Sequence, residues 1–486
     1  MKETIYQTIC PGCGIGCGLY IRKNADGKLS IDHMKSSPVN LGKLCRFGMK
    51  LPHYYAKENN AVNLVNGSSA VAETAIKAAV EILKEADSSS IALLSVGNTT
   101  NEEQMAFTKL AATLETIVQT GVSSECLNVP MASLVEIENA KRIVLFIDPY
   151  VQYPLIVRRL LAAKKNGASI VAVGTQPLNL ADETLDLKPE NHDELKLDSE
   201  SLIIADIHPN SDIMLAKSLL ALAQKTYAKI QFMRPFMNSF GTGLSGDQES
   251  KKVGLAELLE DIELGNIRTL VVLDSDPIEL MPDNEAAVES LKKLNNLIVI
   301  SSRSSPITEF ANVVIASEPV YSKAGTFLNT EGKLLENSGA GKAGVDALSL
   351  LNAGIGGKAF TYDEMNYLVL KAIEAQKEKR SVVTECSVSV DGVSSPEIPE
   401  GMYELKYLYN PFMWFDQQDD NDFVLLNRNT VRKLGLKKGG CVNLKSNRGE
   451  LKMRFRVEAL PNGLVLTAKK LPVARGTSTI VSMEGC

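Results

Sequence analysis

The chain has 486 residues and a net charge of −6, with a pI of about 5.6, so overall charge gives no reason to expect a nucleic acid partner. The sequence has no run of about 18 apolar residues, and its first residues lack the pattern of a secretion signal. These features predict a cytoplasmic protein without direct membrane insertion, long enough for about two to four domains.

Four cysteines near the start give the strongest chemical signal of the sequence. Cys10, Cys13 and Cys17 lie in a Gly-rich segment of eight residues, and Cys45 follows after 27 others. The intervening glycines let the backbone turn tightly enough to aim three thiolates at one site. Four thiolates are the usual ligands of an iron–sulfur cluster, so the spacing predicts a [4Fe–4S] cluster. The alternatives are a structural zinc site, which more often has two close pairs, and four unrelated buried cysteines.

The remaining cysteines are few and widely separated in the sequence. They are Cys126, Cys386, Cys441 and Cys486. Their spacing does not predict a disulfide framework, and this agrees with a reducing compartment.

Downstream of the cysteines, the sequence alternates between apolar runs and segments of helical periodicity. After two short strands in the first domain, Gly18–Arg22 and Leu29–His33, the predicted strands are Ile91–Val96, Arg142–Ile147, Ser169–Val173, Lys229–Met233, Thr269–Leu273, Leu297–Ile300 and Asn312–Ile315. The predicted helices are Ala70–Ala86, Asn101–Leu114, Pro154–Asn166, Asp212–Lys225, Leu255–Leu264 and Asn284–Lys293. This alternation predicts an α/β class with doubly wound parallel sheets covered by helices.

Polar loops follow five of the predicted strands. Because ligands bind at the carboxyl ends of parallel strands, residues of these loops are candidate contacts for one large extended cofactor. The candidates are Asn98, Asn101, Asp148, Gly174, Asp274, Asp276 and Ser301.

The last part of the chain changes to short β runs separated by Gly-containing turns. Residues 381–402 are predicted as a linker and 403–486 as a small β-barrel, in which Asn447 and Arg448 are candidate nucleotide contacts. Residues 1–60 have nine Lys/Arg against four Asp/Glu (+5), and 403–486 have fourteen against eight (+6), which leaves −17 for the middle. Basic ends would suit a polyanionic cofactor, although solvated surface charge explains the same asymmetry.

These motifs occur in the order that is typical of one enzyme family. The chain resembles the bis-molybdopterin guanine dinucleotide (bis-MGD) oxidoreductases, particularly the formate dehydrogenase alpha subunit and the large iron–sulfur subunit of complex I. The cysteine spacing is similar to that family's cluster signature. A later segment, K-A-G-T-F-L-N-T-E-G-K from Lys323, is close to another of its motifs.

The resemblance implies a fold, a set of cofactors and further site residues. Residues 1–58 would form the cluster domain, and 59–380 two interleaved α/β domains that bind molybdopterin. The barrel at 403–486 would bind the dinucleotide. Molybdenum or tungsten on bis-MGD would accompany the [4Fe–4S] cluster. Gly325, Thr326, Asn329 and Glu331 of the matching motif become cofactor-binding candidates. Arg46 is a further candidate, because it is the only cation immediately beside Cys45, where the family's usual Lys is absent.

The chain departs from the family where the metal chemistry would occur. Cys126 lies where the family has its metal thiolate, a soft ligand suited to Mo or W. Leu127 and Asn128 follow it, however, in place of the family's His, and Arg234 is the nearest stand-in for its catalytic Arg.

Two functions follow from these observations. In the first, the chain is a formate-dehydrogenase-like subunit, with Cys126 and Arg234 as catalytic candidates and the cluster passing electrons to iron–sulfur or flavoprotein partners. In the second, it is an electron-transfer or scaffold subunit of the complex I type that has lost the Mo/W chemistry. Both readings predict a multisubunit redox complex.

Overall fold

The computed structural model describes residues 3–57, 60–121, 131–187, 189–209, 213–245, 254–382, 398–407, 423–437, 439–467, 471 and 478–486. The chain divides into two compact units. Unit 1 comprises Met1–Val129, Arg234–Glu279 and Val288–Thr384, and unit 2 comprises Pro130–Met233, Leu280–Ala287 and Glu385–Cys486. The chain thus passes between the units more than once.

The strands and helices are numbered here in chain order. The strands are β1 (Thr4–Ile9), β2 (Gly18–Lys23), β3 (Leu29–His33), β4 (Leu64–Val65), β5 (Ser68–Ser69), β6 (Ile91–Leu94), β7 (Val118–Gln119), β8 (Arg142–Leu145), β9 (Ser169–Val173), β10 (Glu183–Leu185), β11 (Ser201–Asp206), β12 (Lys229–Met233), β13 (Thr269–Leu273), β14 (Asn296–Ser301), β15 (Val313–Ala316), β16 (Ala324–Leu328), β17 (Leu334–Ser338), β18 (Tyr403–Tyr407), β19 (Phe423–Asn427), β20 (Cys441–Ser446), β21 (Gly449–Glu458), β22 (Leu464–Thr467) and β23 (Ser478–Gly485). The helices are α1 (Arg46–Lys57), α2 (Ala72–Glu85), α3 (Asn101–Thr113), α4 (Leu134–Asn139), α5 (Val157–Lys165), α6 (Ile213–Thr226), α7 (Leu255–Glu263), α8 (Pro277–Leu280), α9 (Asn284–Leu291), α10 (Ala343–Gly354), α11 (Tyr362–Val382) and α12 (Arg428–Lys433).

Near the start of unit 1, the segment with Cys10, Cys13 and Cys17 connects the first two strands of an antiparallel sheet. This sheet has the order β1-β2-β3, and β1 and β2 pair from Thr4 with Lys23 to Ile9 with Gly18. Helix α1, which the sequence analysis did not predict, begins directly after Cys45. The three nearby ligands and the fourth are therefore held by different elements.

The main sheet of unit 1 has seven strands in the order β5-β4-β15-β14-β13-β6-β7. The strands from β15 to β7 in this order are parallel, and β4 and β5 extend the sheet by antiparallel pairing. All five residues of β13 are buried, as expected for a central strand covered on both faces. The core beside it includes Leu83 of α2, Phe107 and Leu110 of α3, Leu348 of α10 and Met365 of α11.

Unit 2 contains a five-stranded parallel sheet in the order β10-β9-β8-β11-β12. Strand β11 lies between β8 and β12, and its first five residues are buried. The sequence analysis missed β11, although S-L-I-I-A-D has the short apolar run of a buried strand.

The C-terminal segment of unit 2 forms a closed barrel in the order β18-β22-β19-β21-β20-β23. Its core includes Leu405, Val424, Val442, Val465 and Val481. The sequence analysis was wrong about two cysteines of this region. Cys441 and Cys486 form a disulfide with their Cα atoms 5.5 Å apart, because the antiparallel pairing of β20 with β23 brings positions 45 residues apart together.

The α/β class with a C-terminal β-barrel is therefore confirmed. In the described part of the chain, no helix has the length and apolar character needed to cross a membrane.

Candidate functional site

The first part of the site is the cysteine loop. Cys10, Cys13 and Cys17 are only 5%, 8% and 6% exposed, while Cys45 is partly exposed. The Cys10 backbone N–H donates to the Cys17 carbonyl at 2.8 Å and closes the loop. Gly16 has a φ of +76°, a left-handed conformation that glycine adopts without strain.

The electrostatics of the thiols suit a cationic cluster. Burial raises the pKa of Cys13 to about 12, with the neighbouring Cys45 as the second cause. Burial also raises the pKa of Cys10 and of Cys17, and repulsion from the other cysteines adds to the effect. Buried thiolates this close together are stable only if positive charge lies between them, and iron would supply that charge.

Among the described residues, no three His, Cys, Asp or Glu side chains are grouped as the ligands of one metal ion. Cys10, Cys13, Cys17 and Cys45 supply the four thiolates that a [4Fe–4S] cluster takes as ligands, one for each iron. The donor set fits such a cluster.

Residues far along the chain hold the cysteine loop in place. The Gly14 N–H donates to the Arg234 carbonyl at 2.8 Å, and the Thr330 N–H donates to the Gly14 carbonyl at 2.6 Å. The Asn329 amide donates to the Ile15 carbonyl at 3.1 Å. The structure therefore brings Arg234 and Asn329, two candidates from the sequence, into contact with the cysteine loop.

The two other candidates near this loop have peripheral positions. Glu331 lies beside Asn329, whose amide reaches the Glu331 carboxylate at 3.3 Å. Arg46 is the first residue of α1, directly after Cys45, and is exposed.

Replacing Gly14 with Ala should distort the cysteine loop. A Cβ atom there would lie 2.8 Å from the Arg234 carbonyl oxygen and 2.9 Å from its Cβ, so the backbone must move. We expect Gly14→Ala to lose about 1–3 kcal/mol of unfolding free energy and most of its bound iron. Iron analysis and urea denaturation test this. Gly449→Ala is the control, since nothing lies within 4 Å of a Cβ there, and equal iron content in both variants would contradict the prediction.

A second group of candidates meets at the start of α3. The Asn101 amide donates to the Thr326 hydroxyl at 3.0 Å, and Glu102 accepts from the Thr326 N–H at 2.8 Å and from its hydroxyl at 2.9 Å. Burial raises the pKa of Glu102. Gly325 has a φ of +149°, and a Cβ there would lie 2.6 Å from Thr100 Cγ2.

One polar atom of this group makes no hydrogen bond with the described residues. Asn101 Oδ1 is buried and has no hydrogen-bond partner among the described residues. The N–H groups at the start of α3 are less available, because the Thr100 hydroxyl and the Glu103 carboxylate form a capping box there. A ligand donor to Asn101 therefore fits this position better than a phosphate on the helix end.

A buried lysine beside α3 was missed by the sequence analysis. Lys323 is 1% exposed, and its Nζ donates to Glu103 at 2.9 Å and to Asp274 at 2.7 Å. Burial alone would lower the pKa of Lys323, but the two carboxylates outweigh it and the pKa lies above its usual value. These three residues are called the Lys323 triad below.

Three candidates from the loops at the strand ends, Asp274, Asp276 and Ser301, lie in the Lys323 triad or near it. Asp274, held at a φ of +41°, also accepts from the Ser302 N–H at 2.7 Å, and the Ser301 hydroxyl donates to the Arg303 carbonyl at 2.8 Å. Asp276 accepts from the Ile278 N–H at 2.8 Å and from the Ile307 N–H at 2.9 Å. These contacts tie the strand ends to one another within unit 1.

A third group lies in unit 2, where strands β8, β9 and β11 end. Asp148 accepts from the Gln176 amide at 2.7 Å, and Asp206 accepts from the Gln152 amide at 2.8 Å. Gly174 has a φ of +62°, and a Cβ there would lie 3.6 Å from Lys406 Nζ. Asp206 was missed because β11 was not predicted. Gln152 and Gln176 lie in the loops after β8 and β9, whose strands were predicted.

Burial raises the pKa of Asp206 to about 7, although Lys406 and the Gln152 hydrogen bond act in the opposite direction. The folded chain therefore keeps a proton that the unfolded chain releases near pH 4. The resulting stability is present below about pH 4 and is lost as the pH rises through about 7.

Asp206→Asn should remove this pH dependence. The wild type is expected to lose about 2 kcal/mol more unfolding free energy than the variant between about pH 5 and pH 7. Urea denaturation across this range measures the difference, with the exposed Asp26→Asn as the control that should keep the wild-type slope. Parallel curves for wild type and Asp206→Asn would contradict it.

The remaining sequence candidates are not part of these groups. The Arg448 guanidinium donates to Asp283 at 3.1 Å within unit 2, and Asn447 lies in the turn before β21. Asn98 is partly buried in the loop after β6. Cys126 lies outside the described residues.

Two family models match the chain. A Molybdopterin oxidoreductase Fe4S4 domain matches residues 3–56, and a Molybdopterin oxidoreductase model matches residues 56–348, more than half of the chain. The cofactors of these domains are a [4Fe–4S] cluster and molybdopterin.

Three known proteins illustrate the similarity. The F420-dependent formate dehydrogenase subunit alpha of Methanocaldococcus jannaschii is 29% identical over 192 residues, 36% of this chain and 28% of that protein. The F420-dependent formate dehydrogenase 2 subunit alpha of Methanococcus maripaludis is 27% identical over 229 residues, 42% of this chain and 33% of that protein. The structure of acetylene hydratase from Pelobacter acetylenicus superposes with a TM-score of 0.66 at 12% identity, over 99% of this chain and 100% of that one, and so supports the fold.

The two formate dehydrogenase matches span about a third or less of those relatives. The family assignment itself depends on the domain models and on the order of the motifs rather than on these partial alignments. The chain belongs to the molybdopterin oxidoreductase family.

Proposed function

We propose that this chain is a formate-dehydrogenase-like subunit that passes electrons through one [4Fe–4S] cluster to partner subunits. The observation that carries the proposal is the cysteine loop, whose buried thiols, anchored by residues far along the chain, would hold a one-electron centre. Two relatives whose names contain formate dehydrogenase subunit alpha support the substrate class. A soft Mo or W centre on the pterin would supply two-electron chemistry.

The described residues have separate roles in this proposal. Cys10, Cys13, Cys17 and Cys45 would bind the cluster. Asn101 would accept a hydrogen bond from the pterin in unit 1, because its free oxygen is buried. Asp148 and Gly174 would contact a nucleotide in unit 2, since both follow the ends of parallel strands.

The other candidates act indirectly. Asp274, Asp276, Ser301 and Thr326 would position the loops, since their side chains already bind other parts of unit 1. Arg234 would position the cluster loop through its backbone carbonyl.

A second candidate function keeps the cluster and omits the metal chemistry. The chain would then be an electron-transfer or scaffold subunit of the complex I type. The favouring observation is that Leu127 and Asn128 follow Cys126, so the proton-handling His of the family's active members is missing.

Anaerobic purification with metal and nucleotide analysis tests the first candidate against the second. The first requires about four irons per chain together with Mo or W and guanine nucleotide. It also requires that Cys126→Ala abolish formate oxidation, measured with a viologen dye, and leave the spectroscopic signal of the cluster intact. The control is Cys386→Ala, which changes a cysteine outside every motif and should keep the activity. Iron and sulfide without Mo, W or nucleotide would support the second candidate.

We further propose a cytoplasmic location and no direct membrane insertion, because an iron–sulfur cluster and buried thiols persist best in a reducing compartment. The Cys441–Cys486 disulfide is the observation that opposes this placement. Thiol titration of protein denatured directly from cells tests it, and a fully oxidised pair would overturn the cytoplasmic assignment.

A further inference from the structure

The segment of the cluster domain around Cys45 combines exposed apolar side chains with positive charge. The name Cys45 face is used here for its exposed residues Lys35, Leu41, Lys43, Met49 and Lys50 together with the partly exposed Cys45. Leu41 is 54% exposed and Met49 is 51% exposed. Large apolar side chains exposed beside a redox centre indicate a contact surface for another protein.

Local hydrogen bonds fix the backbone of this segment. A ring nitrogen of His33 at the end of β3 lies 2.7 Å from the Gly42 carbonyl, and a Cβ on Gly42 would lie 3.3 Å from Lys35. The Asn40 amide donates to the Lys43 carbonyl at 2.8 Å. The Met49 N–H donates to the Cys45 carbonyl at 3.1 Å, which places Met49 one helical turn after the ligand.

The charge of this segment is strongly one-sided. The 25 residues from His33 to Lys57 include five Lys/Arg and no Asp or Glu. A cationic rim around apolar residues complements a partner with an acidic rim, and such complementarity accelerates association.

Burial decides where an electron leaves the cluster. Three of the four cysteines are buried, and Cys45 is the partly exposed one. A redox centre that approaches this face would therefore come nearest to the cluster.

We propose that the Cys45 face docks an acidic iron–sulfur protein that exchanges single electrons with the cluster. This proposal rests on the proposed electron-transfer function. In each event the reduced cluster loses one electron, the oxidised carrier gains it, and no bond or proton changes.

Stopped-flow kinetics of the full chain test the proposal. The chain is reduced with dithionite, desalted anaerobically and mixed with an oxidised acidic two-iron ferredoxin as the probe. The Lys43→Glu/Lys50→Glu variant should react about tenfold more slowly at low salt and lose most of the salt dependence. Lys77→Glu, an exposed lysine of α2, is the matched control and should stay within about twofold of wild type.

The apolar part of the face has its own test. Leu41→Ser/Met49→Ser should slow the reaction about threefold even at about 0.5 M salt, where charge effects are screened. The salt dependence should remain that of the wild type.

Two controls separate the possible failures. The cluster spin count by electron paramagnetic resonance after dithionite reduction should be equal in all variants, and its absence in the wild type would overturn the proposed function itself. With equal spin counts, a charge-reversal variant that reacts like wild type would overturn the docking surface. A wild-type dimer that the same variant dissociates would assign the face to a second copy of the chain and overturn the acidic partner.

Discussion

Replacing Cys17 with Ala is expected to remove the [4Fe–4S] cluster and to reduce electron transfer by at least about 100-fold. The side chain is buried, so no water is positioned to substitute for the lost thiolate. One iron of the cluster would then lack its protein ligand, so the cluster would be held by only three thiolates. Iron and acid-labile sulfide analysis, together with paramagnetic resonance of the reduced protein, measures the loss.

Cys45 provides a graded comparison for this prediction. Because Cys45 is partly exposed, Cys45→Ser leaves an oxygen ligand and access to solvent, and we expect it to retain part of the cluster. Cys386→Ala is the cysteine control and should keep wild-type iron. Full iron content in Cys17→Ala would show that Cys17 is not a ligand of the cluster.

Replacing Lys323 with Met is expected to destabilise unit 1 by about 3–5 kcal/mol. The substitution leaves Glu103 and Asp274 buried together without their shared cation, and both are almost inaccessible to water. Removing one member of a buried ion network costs more than removing all of it, because the remaining charges stay desolvated. Urea denaturation of the purified chain measures the loss.

The triple variant Lys323→Met/Glu103→Gln/Asp274→Asn tests the cause. It should recover most of the lost stability, since its buried side chains carry no charge. Lys77→Met, at an exposed position, should change the stability by less than about 0.5 kcal/mol. If the triple variant is no more stable than Lys323→Met, unpaired charge is not the reason for the destabilisation.

Much of the fold could be predicted because its strands are local apolar runs. Ser169–Val173, Lys229–Met233 and Thr269–Leu273 were predicted with the observed bounds, since a buried parallel strand is a short hydrophobic segment bounded by polar residues. Strand β11 has the same character and was overlooked. Helix α1 was harder to predict because it contains Gly48 and Pro52, two residue types that are unfavourable inside a helix.

The site was less predictable because its contacts join distant residues. Lys323 bonds to Glu103, 220 positions earlier, and no local pattern marks a lysine for burial. The cysteine spacing was informative because the ligand chemistry requires it whatever the surrounding fold. Asp274 and Asp276 were correctly noted at a strand end, but only the three-dimensional contacts show that their carboxylates bind the protein's own groups.

The anchoring of the cysteine loop has a consequence for biogenesis. Ile15 is held by a side chain 314 residues later, and Gly14 by backbone groups of Arg234 and Thr330. A ribosome that has made only the first 60 residues has produced all four ligands but none of these supports. Iron insertion into the finished geometry must therefore wait until most of the polypeptide has been synthesised and folded.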